Sequence, residues 1–107
     1  MLVLAKDSGI AASKPINIKQ ELVNCSFRLV GTEAAIAAMT AIVIEQPSAE
    51  WDQTVTSSYS GDWEKKVYGG TDIVLDADNR VQTAFGTGRV RINKTADEQV
   101  GVEFDRN

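Results

Sequence analysis

Short runs in which every second residue is apolar recur along this chain, and they restrict its fold more than any other feature. Ile16 and Ile18 alternate with Asn17 and Lys19. Val23, Cys25, Phe27 and Leu29 alternate with Asn24, Ser26 and Arg28. A period of two puts successive side chains on opposite faces of a strand, so each run describes a strand with one buried face. The apolar parity changes near Glu21 and Leu22, which predicts a slip or bulge there. Ile73, Leu75 and Ala77 share a parity further on; so do Val81, Thr83 and Phe85, then Val90 and Ile92, then Val100, Val102 and Phe104. Turn signals separate these runs: Asp78-Asn79, a Gly86-Thr87-Gly88 hairpin connection, and the polar loop Ala96-Asp97-Glu98-Gln99. Strand signals spaced by roughly ten residues predict an all-β antiparallel sandwich, Ig-like or jelly-roll-like.

One segment is ambiguous. Thr32 is a good N-cap, Glu33 suits a first helical turn, and Ala34, Ala35, Ala37, Ala38 and Met39 favour helix. Ile42-Val43-Ile44 is β-branched and dense, and Pro47 blocks continuation. We expect one continuous strand over 34–46, with Ile36, Ala38, Thr40, Ile42 and Ile44 on one face. The alternative is a short helix near 32–40 followed by a strand. Residues 7–15 are small and polar and end at Pro15, so 1–14 reads as an N-terminal arm or loosely tied edge segment. A single sandwich domain over 15–107 follows it.

Composition narrows the function. The 107 residues hold no His and one Cys. That leaves no imidazole base, no thiolate zinc cage and no internal disulfide, and we expect neither cofactor nor metal. With 15 acidic against 11 basic residues the net charge is -4, which disfavours nucleic acid as a partner. No apolar run approaches the ~20 residues of a membrane span. The apolar start Met1-Leu2-Val3-Leu4-Ala5 stops at Lys6-Asp7, short of the about 7–15 apolar residues of a secretory signal. At this length the folded surface scales to roughly 5,800 Å², so the core is thin. Binding modules, structural modules and carboxylate-only enzymes remain.

The aromatics are unevenly placed. Trp51, Tyr59, Trp63 and Tyr68 fall within 18 residues, around a polar stretch at 57–66. Trp and Tyr offer rigid contact area with a polar tip, which suits sugar rings or protein partners. Tyr59, Trp63 and Tyr68, with the neighbouring Lys65 and Lys66, are contact candidates, while Trp51 is expected in the core. Arg89 and Arg91 stand out of phase with Val90 and Ile92, so they point outward and join the contact candidates. If strands 88–94 and 100–105 pair as a hairpin, these arginines meet Glu103 and Asp105 across it. Cys25 is in phase with Val23 and Phe27, which predicts a buried, inert thiol. Asp76-Ala77-Asp78 begins like a calcium loop, but Val81 and Thr87 stand where Gly and Glu are required, so these acids read as solvent-exposed. Gly86-Thr87-Gly88 lacks both the third Gly and the Lys of a phosphate cradle. Asp62 and Glu64 would need a second converging acid to act as a hydrolase pair.

Thr40-Ala41-Ile42-Val43-Ile44-Glu45-Gln46-Pro47-Ser48-Ala49-Glu50-Trp51 resembles a strand-turn-Trp pattern of small β-sandwich proteins in tailed bacteriophage virions. Tyr68-Gly69-Gly70-Thr71-Asp72-Ile73, Gly86-Thr87-Gly88 and Val90-Arg91-Ile92 are similar to the second half of such domains. The resemblance covers residues 28–93, with Ala49-Glu50 where those turns carry Asp-Gly, and it favours the strand reading of 34–46. It implies a non-enzymatic, multicopy capsid, collar or tail protein, made in the bacterial cytoplasm and located in the virion. Its implied partners are further copies of itself and other virion proteins. The alternative from the residues alone is a small glycan-binding module using segment 51–68.

Overall fold

Alternating runs form strands because each has one face that gains by leaving water. The computed structural model describes residues 1–17, 25–51, 59–68, 71–84 and 89–106. In chain order these form β1 (Leu2–Leu4), β2 (Ala11–Ala12), β3 (Ile16–Asn17), β4 (Cys25–Val30), α1 (Glu33–Ala37), β5 (Ile42–Pro47), β6 (Trp63–Lys65), β7 (Val67–Tyr68), β8 (Thr71–Asp72), β9 (Val74–Leu75), β10 (Val81–Ala84), β11 (Arg89–Lys94) and β12 (Gly101–Arg106). One antiparallel sheet runs β1-β12-β4-β10, and the other runs β2-β11-β5-β6 with β3 also on β11 and β9 also on β5. A β7-β8 ribbon stands apart. The chain is an all-β antiparallel sandwich.

The predicted inward residues supply the core. Phe27 and Leu29 of β4 with Val102 and Phe104 of β12 line one sheet. Ile42 and Ile44 of β5, Val90 and Ile92 of β11, and Leu75 of β9 line the other. Phe27 stands opposite Phe104, with ring centroids 5.0 Å apart. Each such side chain contributes about 1.5–3 kcal/mol when fully buried.

Four local expectations are corrected. Residues 34–46 are not one strand: α1 comes first and β5 follows. The Thr32 hydroxyl accepts from the Ala35 amide at 3.2 Å, and Arg80 grips Glu33 through two hydrogen bonds of 2.6 and 2.7 Å. Capping and alanine propensity prevail because one helical turn buries Ile36 in the core, with Ala35 and Met39 packed against it. The Thr40 amide then donates to the Glu98 carboxylate and fixes the exit.

The expected hairpins are also absent. β10 and β12 lie in the first sheet and β11 in the second, so the chain crosses the sandwich twice where hairpins were expected. β11 and β12 each turn an apolar face inward, and crossing lets those two faces meet across the core. Val100, fully buried, anchors the second crossing. The parity of β10 is reversed as well. Val81 is 55% exposed, whereas Gln82 lies half-buried with its amide donating to the Val74 carbonyl at 2.9 Å. Finally, Arg89 and Arg91 do not meet Glu103 and Asp105. Instead Glu103 is paired with Arg28, directly opposite on β4. The slip near Glu21 and Leu22 lies outside the described residues, as does the Cys25 side chain.

Residues 1–14 contribute an edge strand to each sheet: β1 against β12 and β2 against β11. Leu4 is buried in the core, and the Ser13 amide donates to the Ile92 carbonyl at 2.8 Å. Gly101 allows this docking, because a Cβ there would stand 2.8 Å from the Lys6 amide nitrogen. Gly101→Ala therefore forces β1 away from β12. Urea unfolding should show a loss of about 1–3 kcal/mol.

Two ion pairs, Arg28–Glu103 on the first sheet and Arg80–Glu33 at the start of α1, give a pH prediction. The Arg28 guanidinium, hydrogen-bonded to Glu103, holds that carboxyl below its ordinary range, and Arg80 does the same to Glu33. Both contributions to stability are complete above the ordinary glutamate range and are lost as pH falls through the lowered folded values. NMR titration should find both carboxyls titrating low, with Glu103 returning toward its ordinary value in Arg28→Gln.

Candidate functional site

Parity dictates what the second sheet shows to solvent. With Val90, Ile92, Ile42 and Ile44 turned inward, Arg89, Arg91 and Asn93 of β11 and Val43, Glu45 and Pro47 of β5 must turn outward. On the far side of β5, Lys65 stands opposite Glu45 and Trp63 opposite Pro47. This face carries the cluster that joins most of the sequence-derived candidates.

Arg91 is its centre. Its Nε donates to Glu45 Oε1 at 2.7 Å, and its guanidinium carbon lies 4.6 Å from the centre of the Trp63 ring. Both ionic side chains are largely withdrawn from water, at 26% exposure for Arg91 and 12% for Glu45. Partial burial strengthens the attraction, and the planar guanidinium can pair with a carboxylate at its edge while stacking on a ring at its face. Asn93 adds a weaker contact to the other Glu45 oxygen. Two residues back along β11, Arg89 lies 5.5 Å over the Trp51 ring. Tyr59 fills the space between the indoles, tilted against Trp51 at 5.7 Å and edge-on to Trp63 at 5.5 Å. The order is Arg89, Trp51, Tyr59, Trp63, Arg91.

The polar stretch that bears these rings is closed at its base. The Ser48 amide and hydroxyl both donate to the Asp62 carbonyl, at 2.9 and 2.7 Å. The Tyr59 hydroxyl donates to that same carbonyl at 2.9 Å and accepts from the Ala49 amide at 3.2 Å. Gly61 makes room for the phenol: a Cβ there would sit 2.6 Å from Tyr59 Cζ. Backbone and side chain together fix the ring.

Of the sequence-derived candidates, Tyr59, Trp63, Arg89 and Arg91 come together here. Lys65 projects from the same face and is exposed. Lys66 goes the other way: its backbone bridges the Ile44 carbonyl and the Ile73 amide, the residue is 8% exposed, and burial pushes its amine pKa down. Tyr68 lies on β7 opposite Thr71, and its side chain is outside the described residues. Trp51, expected in the core, is half-buried and belongs to this stack. Sequence reasoning missed Glu45, although its outward parity on β5 was a usable signal.

This face offers charge and ring surface for contact. It sets Arg89, Arg91 and Lys65 against Glu45, three cations to one carboxylate among the described residues, on a chain of net charge -4. Several acids elsewhere are engaged. Glu64 accepts from Gln46 at 3.0 Å, and Asp76 Oδ1 accepts the Asp78 and Asn79 amides of its own turn. Among the described residues no group of three His, Cys, Asp or Glu is placed to hold a metal ion. No family model, curated protein or solved structure matches the chain.

Both tryptophans of the chain sit in this stack, so intrinsic fluorescence reports it directly. Glu45→Gln leaves a half-buried guanidinium without its carboxylate. It should lower stability by about 1–3 kcal/mol in urea and shift the tryptophan emission. Once Arg91→Gln is also present, adding Glu45→Gln should cost little more, which a double-mutant cycle reads as coupling.

Proposed function

We propose that this chain is a non-enzymatic structural module that works in many copies, as a capsid, collar or tail component of a bacteriophage virion. Its partners are further copies of itself and other virion proteins. The observation that carries assembly is the placement of its exposed large apolar side chains. Met1, Leu2, Ile10, Val67 and Val81 are between 51% and 70% exposed. Leu2 and Val81 lie on the two lateral strands of the first sheet, Met1 precedes the first of these, Ile10 abuts lateral β2, and Val67 is on the β7-β8 ribbon. Scattered exposed apolar residues need no explanation. Apolar residues gathered at strand edges do, because an edge is where another chain adds on.

Composition supports the non-enzymatic part, since a chain without His and with one Cys lacks the usual nucleophile and base. The virion part is supported by the resemblance over residues 28–93. The sugar-platform reading is weaker on the same geometry, because guanidinium groups already lie over both indoles. Sedimentation and light scattering over a concentration series should show oligomers above micromolar protein. A strict monomer throughout, with tryptophan fluorescence that responds to glycans, would sink this reading in favour of the sugar module.

A further inference from the structure

We infer that β10 is the strand through which two copies of this chain pair, antiparallel and about a two-fold axis at Gln82. The inference rests on the assembly proposed above and names the edge that performs it. Three observations single out β10. Its parity is inverted, so the β-branched Val81 and Thr83 face outward while Gln82 faces in and is tied to Val74. Among the described residues, none pairs with its backbone on the side away from β4. The Leu29 amide donates to the Arg80 carbonyl at 2.9 Å, and antiparallel ladders alternate, so Arg80 and Gln82 point their peptide groups at β4. The peptide groups of Val81 and Thr83 therefore point away from the sheet.

The third observation is charge. A two-fold axis brings each residue near its own copy, so like charges on an edge oppose pairing. Val81-Gln82-Thr83-Ala84 carries no charge and no Pro. The other lateral strands are protected. β6 would set Glu64 near its counterpart, β1 is bulged between Leu2 and Leu4, and β2, β3 and β9 have only two residues each.

The geometry then fixes the register. Val81 of one copy stands opposite Thr83 of the other, with Gln82 on the axis, which gives about four ladder hydrogen bonds. Val and Thr share the outer face across the seam and no like charges meet. So short a contact buries less than a standard interface, so it is a weak pairing that many linked copies would multiply.

Sedimentation equilibrium up to about 1 mM protein, the range of weak contacts, tests this alongside amide exchange. Wild type should form a dimer, with the Val81 and Thr83 amides gaining protection as concentration rises. Val81→Lys, at an exposed position, should keep the fold and weaken the dimer by about tenfold or more. Thr83→Pro removes only an outward amide and should do the same. If it proves unfolded by circular dichroism, Val81→Lys and the exchange data decide. A monomeric wild type at 1 mM overturns both the pairing and the assembly reading. Dimers unchanged in both variants overturn the pairing alone, and so does weakening by Val81→Lys with none by a folded Thr83→Pro. Open-ended oligomers, in place of a dimer, would overturn the two-fold.

Discussion

Phe27 and Phe104 face each other across β4 and β12, and the rest of the sandwich depends on that opposition. The two rings fill the inner face of the first sheet at 5.0 Å. Once they are in register, Leu29 meets Val102, and the alternation of both strands is set from Cys25 to Val30. β12 then has one free side, which β1 occupies. The partners come from the first third and the end of the chain, so closure of a long loop precedes the gain. That is the slow, non-local step of an all-β topology. A one-residue slip of either strand would turn its own ring to solvent, so the register is strongly specified.

Strand positions were readable because a period of two is a local property. Strand partners were not, because partnership depends on what remains to be covered. β11 and β12 illustrate this. Each was placed correctly from its own alternation, and the loop between them permits either a hairpin or a crossing. A hairpin would have put both apolar faces on one sheet and left the opposite one thin. Crossing puts Ile92 and Val102 on opposing sheets with Val100 buried between the strands. The helix failed to show for a different reason: the capping residues and the isoleucine alternation competed within one segment, and neither signal reports the room left beside Arg80.

The candidate site was half legible. Parity placed Arg89 and Arg91 outside, and the crowding of aromatics marked the loop that meets them. Size misled at Trp51, since a large apolar ring can also be sheltered by a guanidinium and a phenol at the edge of a sheet. Phase decides at Lys94. Its phase with Val90 and Ile92 points inward, and inward it goes, with 1% exposure and its amine donating to the Lys6 carbonyl at 3.1 Å. Periodicity outweighed polarity there because a backbone carbonyl was available to satisfy the buried donor.

That carbonyl belongs to the N-terminal segment, and it bears on how neighbours can be reached. β1 and β2 take the first place in each sheet, so residues 1–12 close one side of the sandwich across both layers. The turn between them uses Gly9 at a φ of +71°, a conformation glycine adopts without strain. An arm that left to embrace another copy would expose Leu4, strip Lys94 of its acceptor and free the Ile92 amide from the Ser13 hydroxyl. Each is a buried group losing its partner, at a cost of about 1–3 kcal/mol apiece, and a copy that swapped in an identical arm would only restore what was lost. Among the described residues the opposite side has no such clasp: there the chain passes from β9 in one sheet through a tight Asp76–Asn79 turn into β10 in the other, and β10 leaves its apolar parity outside. For the assembly proposed above, an asymmetric closure of this kind favours contact through folded edges, on the side away from the N-terminal segment, over exchange of a loose terminus.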